Sequence, residues 1–474
     1  MTNHSNYDVV IIGGGPAGSS LSVLLAQQGY EVLLLEREKF PRFHVGESLL
    51  PATQLIWEKL GIRESLENLA AKKYKDAAEF RIGLHPQSDR YDYARIDFTD
   101  PNNWSPKDYP QYPYAYQVER SQFDLLLLDR ARQQGVTVCE EATVKEVIEE
   151  GDRVTGVRWR DGSGLEYTTT AKCVADCSGR QALIARSRQL LVCDRTIQTS
   201  AVFGHFQDVT PNPGKEQGAI SVYFLENGWI WFIPIHSNLM SVGVVVNKPE
   251  SDWWNQKKPE DILLTYINRY KFLQTRFESA QQVSKIRLLR NLSYASRQIV
   301  GDGWLLVGDA NFFVDPFLSS GVQVAFKTAE QAAVAIDNYL KHNGDLKFFR
   351  RYDRWCRSYR FHVFVTMRLL YGMMKYELAI QTFITAVSNS LKGKPNFLER
   401  GFIAWTLGNF DRYHGSLYSM WAVFFILSKV SKMRQVILRQ KSWSSYQEFY
   451  AESEIQCCDL AEGEALRDRV ASNK

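Results

Sequence analysis

No apolar run in this 474-residue chain approaches the roughly 20 residues needed to span a bilayer. The longest apolar-leaning stretch, Trp421 to Leu427, falls far short, so no membrane span is expected. Cysteine is sparse and badly arranged for structural use. There are seven (Cys139, Cys173, Cys177, Cys193, Cys356, Cys457 and Cys458), an odd number with no C-x-x-C pair. That argues against a disulfide framework and against a zinc site, and it suits a reducing compartment. Charge of one sign is lacking too. Lys and Arg number 57 against 53 Asp and Glu, a net of +4, and neither sign is gathered in a block. A nucleic-acid-binding protein concentrates positive charge on one face, so that class is disfavoured. Repeats and low-complexity tracts are absent. Met1 to Asn6 is polar and leads straight into a strand pattern, so no secretory signal is expected and a cytoplasmic location is.

What the chain does have is a large apolar fraction, 45%, enough for two or three domains. Tyr7 to Ile12 reads as a buried parallel strand, Ser19 to Gln28 as a helix ended by Gly29, and Glu31 to Leu35 as a second strand. Together they make a βαβ unit of about 30 residues. Pro41 to Thr53 reads as a loop that turns helical at Gln54. Tyr91 to Pro113, rich in Asp, Pro, Asn and Tyr, reads as a long excursion, and Ser121 to Gln134 as a helix. Val136 to Val147 and Arg153 to Ala171 alternate as strands. From Thr199 the pattern turns antiparallel, with strands at 220–225, 229–235 and 240–246 and turns at Asn227-Gly228 and His236 to Asn238. A helix is expected over 260–280, a strand over 303–307 and a long helix over 321–340. From Gly344 on, the sequence reads as helical and aromatic. The expected fold is α/β with an inserted antiparallel sheet. A discontinuous nucleotide domain takes 1–75, 110–190 and 285–340, a substrate domain takes 76–109 and 191–284, and a helical C-terminal region takes 341–474.

Gly13, Gly15 and Gly18 form G-x-G-x-x-G between strand and helix. The first glycine permits the tight turn, the second lets the main chain approach a pyrophosphate, and the third packs helix on strand. The whole turn (Gly13, Gly14, Gly15, Pro16, Ala17 and Gly18) is therefore expected to bind a dinucleotide, with the helix N-terminus facing the phosphates. Glu36 closes the second strand, where a carboxylate can hold a ribose diol. Later segments resemble the FAD-dependent hydroxylase fold and so imply FAD rather than NAD. Arg120 to Asp124 opens a helix at the spacing typical of that fold. Asp176-Cys177-Ser178-Gly179 resembles its intermediate Asp-Gly motif. Trp304 to Ala310 resembles its second flavin motif, in which the position of Asp309 contacts the ribityl chain. A plain helix N-cap is the competing reading of Asp309.

Four further segments resemble the flavin-dependent halogenases. Trp229-Ile230-Trp231-Phe232-Ile233-Pro234 matches their W-x-W-x-I-P signature, and a proline within a strand is unusual. In the family this segment is associated with suppressing direct monooxygenation. Phe313 to Val322 matches F-x-x-P-x-x-S-x-G, with Pro316 at the proline. The resemblance implies that Ser320 and Gly321 bind halide and that Val322 continues onto the flavin; physically, a turn opening a helix presents N–H groups to an anion. Gly46-Glu47-Ser48-Leu49-Leu50-Pro51 resembles a loop of halogenases acting on phenols and pyrroles, including carrier-tethered ones, and implies a cofactor contact for Glu47. Lys75-Asp76-Ala77-Ala78-Glu79-Phe80 resembles the segment around the family's catalytic lysine, K-x-G-A-x-F, with Ala77 in place of glycine. Lys72 and Lys73 compete with Lys75 for that role, and a solvated lysine cluster is the ordinary alternative.

The resemblance covers roughly residues 7 to 340. It implies that FAD, used as FADH2, reacts with O2 and chloride or bromide to give hypohalous acid, which passes to Lys75 and halogenates an electron-rich ring. Enclosure is needed because free hypohalous acid is indiscriminate. The sequence shows no second glycine fingerprint for a nicotinamide, so a separate flavin reductase is implied as partner. The aromatic substrate is expected to be a phenol such as a tyrosine-derived unit, then a pyrrole, free or on a carrier protein. Leu318-Ser319 replaces the glutamate that tryptophan halogenases carry before their halide residues, which disfavours free tryptophan. Asn311-Phe312 replaces commoner small residues after Gly308-Asp309-Ala310, a departure that bears on flavin mobility. A hydroxylase or isoprenoid reductase on the same fold, and a non-catalytic flavin-binding protein, are the alternative functions.

Overall fold

The computed structural model describes residues 5–82, 92–101, 112–212, 217–225, 227–236, 238–248, 250–317, 319–374 and 426. The expected aromatic C-terminal segment beyond 374, and Leu318, lie outside the described residues, Ile426 excepted. The chain forms two compact units. One comprises Met1–Lys72, Val118–Asp194 and Ser293–Val363; the other comprises Lys73–Gln117, Arg195–Leu292 and the described residues from Phe364 on.

The first unit is built on a mostly parallel sheet. Its strands run in the order Val300–Gly301, Trp304–Leu306, Glu166–Asp176, Ser5–Ile12, Val32–Leu35 and Thr137–Cys139. Val9 sits between Cys173 and Val32, both parallel neighbours. Val9, Val10 and Ile11 are wholly buried, as a central strand covered on both faces requires. Arg153–Arg160 and Thr143–Glu150 extend the sheet antiparallel from Glu166–Asp176. The helices Pro16–Ala26, Arg120–Gln133 and Ser320–Lys341 complete the unit's framework. The helix Lys347–Met374 follows, and its residues to Val363 belong here.

The second unit is a sheet ordered Gln281–Gln282, Thr199–Gln207, Leu239–Asn247, Gly228–His236, Ile220–Leu225, Ala77–Ile82 and Asp92–Asp97. All its pairings are antiparallel except Ile220–Leu225 with Ala77–Ile82. Its core gathers Val202, Tyr223, Ile230, Val242, Ile262, Ile267, Leu273 and Phe277. Two sequence expectations fail here. Of the excursion expected at 91–113, residues 91 and 102–111 lie outside the described residues, and the described part contains the strand Asp92–Asp97, whose Ala94 and Ile96 are buried while Arg95 carries charge between them. The polar composition hid a short alternation. The helix expected at 260–280 is two helices, Pro259–Asn268 and Lys271–Phe277. Tyr270 is extended between them (φ −123°, ψ 119°) and buried, so its ring joins the core. The freed carbonyl of Asn268 accepts a hydrogen bond from the Gln274 amide at 2.6 Å. Among the described residues no helix is long and apolar enough to cross a membrane.

Candidate functional site

In the first unit the three flavin-type motifs converge. Gly13 (φ +101°) packs so closely on the Asp176–Gly179 segment that a Cβ would lie 2.6 Å from the Cys177 carbonyl. At Gly18 a Cβ would lie 1.9 Å from the Gly13 carbonyl, which ties helix to turn. Gly308 approaches Ala17 on one side, at 3.1 Å from its own would-be Cβ, and Ala325 on the other. The Gly308 N–H donates to Thr328 Oγ1 at 2.9 Å. Sequence segments some 130 to 290 positions apart thus meet at the C-terminal ends of parallel strands, where open α/β sheets bind ligands.

The residues suit a dinucleotide. The Pro16–Ala26 helix is N-capped by Gly15 with no capping side chain and no acidic residue in its first turn. Its free N–H groups and dipole face an anion without competition. A Cβ on Gly15 would find one neighbour within 4 Å, the Arg42 guanidinium at 3.6 Å, so the approach is open and positively lined. Arg42 is anchored on Asp124 at 3.1 Å, and Arg120 grips the same carboxylate with two bonds of 2.7 and 2.9 Å. Glu36 is buried and oriented by two main-chain donors, Gly14 N–H at 2.6 Å and Glu38 N–H at 2.9 Å.

Arg120 also links the other expected cofactor residues. Its Nη1 donates to the Val45 carbonyl at 2.6 Å. A Cβ on Gly46 would meet that same nitrogen at 2.8 Å and Val322 at 4.0 Å. The charges of Glu47 and Asp309 both act on Arg120. Asp309 lies in the short turn Gly308–Ala310, its main-chain carbonyl accepting from the Tyr294 hydroxyl at 2.7 Å. Loss of water pushes its carboxyl up to about 6, against the pull of Arg180 and Arg120. Arg42 and Arg180 were not anticipated as site residues, since their roles come from long-range contacts that no local motif encodes; Asp124 lies in the Arg120–Asp124 segment already noted and pairs with Arg120 one helical turn away.

The helix Ser320–Lys341 begins directly after Ser319, which is left-handed (φ 56°) and provides no side-chain cap. Its first turn holds no acidic residue, so the amides at Ser320 and Gly321 stay available to an anion. The turn before it is braced by Phe317 N–H to Asp315 Oδ1 (2.9 Å) and Ser319 N–H to the Pro316 carbonyl (3.0 Å). Ser293 donates to the Val314 carbonyl. Ser320 and Val322 are buried, and the Phe313 ring lies 3.5 Å from the position of a Cβ on Gly321.

The remaining candidates lie in the second unit. Lys75 ends the strand Lys72–Lys75 with 1% of its surface exposed, while Lys72 and Lys73 are only partly buried. This is no solvated cluster. Burial drives the Lys75 amine down from 10.5 to about 7, and its Nζ lies 5.5 Å from the centre of the Phe98 ring. The signature tryptophans share one face of Gly228–His236, with ring centres 5.6 Å apart. Trp229 Nε1 donates to the Tyr371 hydroxyl at 2.9 Å, and Trp231 Nε1 to Ser241 Oγ at 3.1 Å. Pro234 stands at a register shift in that strand, which is how a central sheet accommodates a proline.

Comparison with known proteins bears on the family and the fold. Residues 6–363 match the FAD binding domain family. The chain is 31% identical over 361 residues to a tryptophan 2-halogenase of Chondromyces crocatus, covering 73% of this chain and 65% of that protein. It is also 31% identical to a 1H-pyrrole-2-carbonyl-(peptidyl-carrier protein) chlorinase of Pseudomonas fluorescens, covering 76% of this chain and 82% of the relative. Among solved structures, the myxobacterial chondrochloren halogenase aligns with a TM-score of 0.71 at 31% identity, over 87% of this chain and 97% of that one. The flavin-dependent brominase Bmp2 aligns at 0.76 and 25% identity, over 91% and 100%.

Proposed function

This chain belongs to the flavin-dependent halogenase family, and on that premise we propose that it halogenates an electron-rich aromatic ring using reduced FAD, O2 and chloride or bromide. The substrate in this reading is a phenol such as a tyrosine-derived unit, with pyrrole next, free or tethered to a carrier protein. Two carrier-protein pyrrole halogenases are matched over 82% and 83% of their length, against 65% for the tryptophan 2-halogenase, which favours the carrier-type branch. A separate flavin reductase supplies the reduced cofactor, and the protein works in the cytoplasm.

FAD would be held by the Gly13–Gly18 turn at its pyrophosphate, by Glu36 at a ribose, and by Glu47, Arg120, Asp309 and Val322 along the rest. Bound and reduced, it supplies with O2 the oxidising equivalents that turn halide into hypohalous acid. Ser320 and Gly321 hold the halide through the N-terminal amides of their helix. The observation that carries the chemistry is the burial of Lys75. A lysine in water is almost wholly ammonium at neutral pH and cannot act as a nucleophile. Near 7, a large fraction is free amine. That amine displaces water from hypohalous acid to give an N–halogen bond. The aromatic ring then takes the halogen, and its displaced ring proton is lost as the amine is restored.

Replacing Lys75 with alanine tests the assignment. Halogenation should vanish while FAD affinity stays at the wild-type value. A purified variant that still halogenates would remove Lys75 from the mechanism.

A further inference from the structure

The Asp176–Gly179 segment resembles a flavin-protein motif, yet its acid is spent on folding. Asp176 Oδ1 accepts from the Ser178 N–H at 3.0 Å and the Ser178 hydroxyl at 2.6 Å, and Oδ2 accepts from the Ile184 N–H at 2.8 Å. These bonds shape the short turn that follows, Gly179–Gln181. Arg186 pins the same turn by donating to the carbonyls of Gln181 at 2.9 Å and Arg180 at 3.2 Å, and Arg37 donates to the Gln181 side chain at 2.9 Å. What this bracing presents is Arg180. Its guanidinium lies over two rings, 5.3 Å from the centre of Tyr294 and 5.9 Å from that of Phe313. Those two residues stand opposite each other on the antiparallel strands Tyr294–Ser296 and Phe312–Phe313. The turn of Arg180 also packs on the turn Gly308–Ala310, which carries Asp309 and is tied to Tyr294 by the hydroxyl bond to the Asp309 carbonyl.

We propose that Arg180 is a positioning residue for the cofactor: lying on Tyr294 and Phe313 beside the Gly308–Ala310 turn, it keeps Asp309 a carboxylate, able to accept charge-assisted hydrogen bonds from the hydroxyls of FAD. The inference rests on the assignment of Asp309 to FAD given above. A carboxylate drawn away from water needs a cation nearby to stay ionised. Two cations act on Asp309, Arg180 first and Arg120 second. Arg120 shares its charge with Asp124 and Glu47. The other groups around the turn are the Tyr294 hydroxyl, with Asp176 and Arg186 acting on it, and the Thr328 hydroxyl of the helix Ser320–Lys341, which accepts from the Gly308 N–H. A hydrogen bond to an ionised acceptor is about twice as strong as one to a neutral acceptor, so FAD binds the carboxylate form more tightly. Asp309 titrates at about 6 in the FAD-free chain. Affinity should therefore be level above that value and fall as the pH drops below it. Removing the Arg180 charge makes ionisation harder and moves this break to higher pH.

The test is FAD affinity, read by fluorescence titration between about pH 5 and 8, with circular dichroism and thermal midpoint as folding controls. Arg180→Met and Arg180→Gln should raise the break by about 1 unit, which reads as roughly tenfold weaker binding at a fixed pH below it and little change at the alkaline end. Arg180→Lys keeps the charge and should hold the break close to wild type. Asp309→Asn should abolish the break, and adding Arg180→Met to Asp309→Asn should bring no new pH dependence. If Arg180→Met fails to fold, Arg180→Gln decides. An unmoved break in the neutral variants, a loss equal at every pH, or a shift in Arg180→Lys as large as in Arg180→Met overturns the proposal. So does a break that persists in the double variant. A wild-type chain whose affinity shows no break, with Asp309→Asn binding FAD as tightly, sinks the assignment of Asp309 to FAD itself.

Discussion

The two units hold their functional groups by different means. In the first, much of the candidate cofactor site is main chain: amides at the Pro16–Ala26 and Ser320–Lys341 helix starts, glycines that let segments touch, and a carboxylate, Glu36, oriented by backbone N–H groups, with the side chains of Glu47, Arg120 and Asp309 beside them. In the second, the chemistry hangs on side chains taken out of water. Lys75 is pushed toward its free amine by burial, and Glu79, clustered with Arg81 and Arg95, balances charge within a sheet. Main-chain sites come from geometry and tolerate no added atoms. Side-chain sites come from dielectric environment and tolerate no lost partner.

The sharpest break of that contrast is at the turn. Gly18→Ala would place a Cβ 1.9 Å from a carbonyl oxygen, so FAD affinity should fall by more than about a hundredfold or the variant should not fold. Gly15→Ala meets one side chain at 3.6 Å and should fold normally, yet bind FAD more weakly because the methyl occupies the approach. Titration of FAD fluorescence with circular dichroism as control measures both. Equal affinities in Gly15→Ala and wild type would place the pyrophosphate elsewhere.

Next in size is the Glu79 cluster. Glu79→Leu leaves Arg81 and Arg95 buried without this acceptor and should cost about 3–5 kcal/mol of stability. Denaturant unfolding measures it, and a cost below 1 kcal/mol would mean that the cluster reaches water.

Lys75→Met should do the opposite. Lys75 titrates near 7 in the folded chain and at its ordinary, higher value unfolded, so between those values the unfolded state holds more protons. Wild-type stability therefore rises with pH from about 7 upward, and at or below 7 the lysine is destabilising. Lys75→Met should be more stable at pH 7, by about 2 kcal/mol, and should flatten that slope while losing activity. A variant less stable than wild type at pH 7 would show that Lys75 is held by compensating contacts.

The smallest effect concerns Asp309. Its folded value, near 6, lies above its ordinary one, so its contribution is present at low pH and is lost as pH rises through about 6. Asp309→Asn should remove part of the decline in thermal midpoint of the FAD-free protein between pH 4 and 6. An identical pH profile in the variant would mean that Asp309 is well hydrated.

The same contrast explains what could be read before the structure. The Gly13–Gly18 turn, Glu36 and the strands 220–225, 229–235 and 240–246 were legible because spacing and alternation are local properties. Tyr270 was not, because its ring leaves the helical path for a core assembled from distant strands. Arg95 was hidden for a related reason. Its strand reads as polar loop, and its pairing with Asp76 and Glu79 exists only once two strands lie side by side. For Lys75 the sequence offered a motif with Ala77 out of pattern and two competing lysines; burial separates Lys75 from both.

The central claim is that this chain puts halogen onto an aromatic ring. The direct measurement is mass spectrometry of products formed with FAD, a flavin reductase, NADH, O2 and either chloride or bromide, offered a panel of free and carrier-tethered phenols and pyrroles. The account predicts a product bearing the halogen isotope pattern, dependent on the halide supplied and absent with Lys75→Ala. A hydroxylated or reduced product, formed equally well without halide, would contradict it.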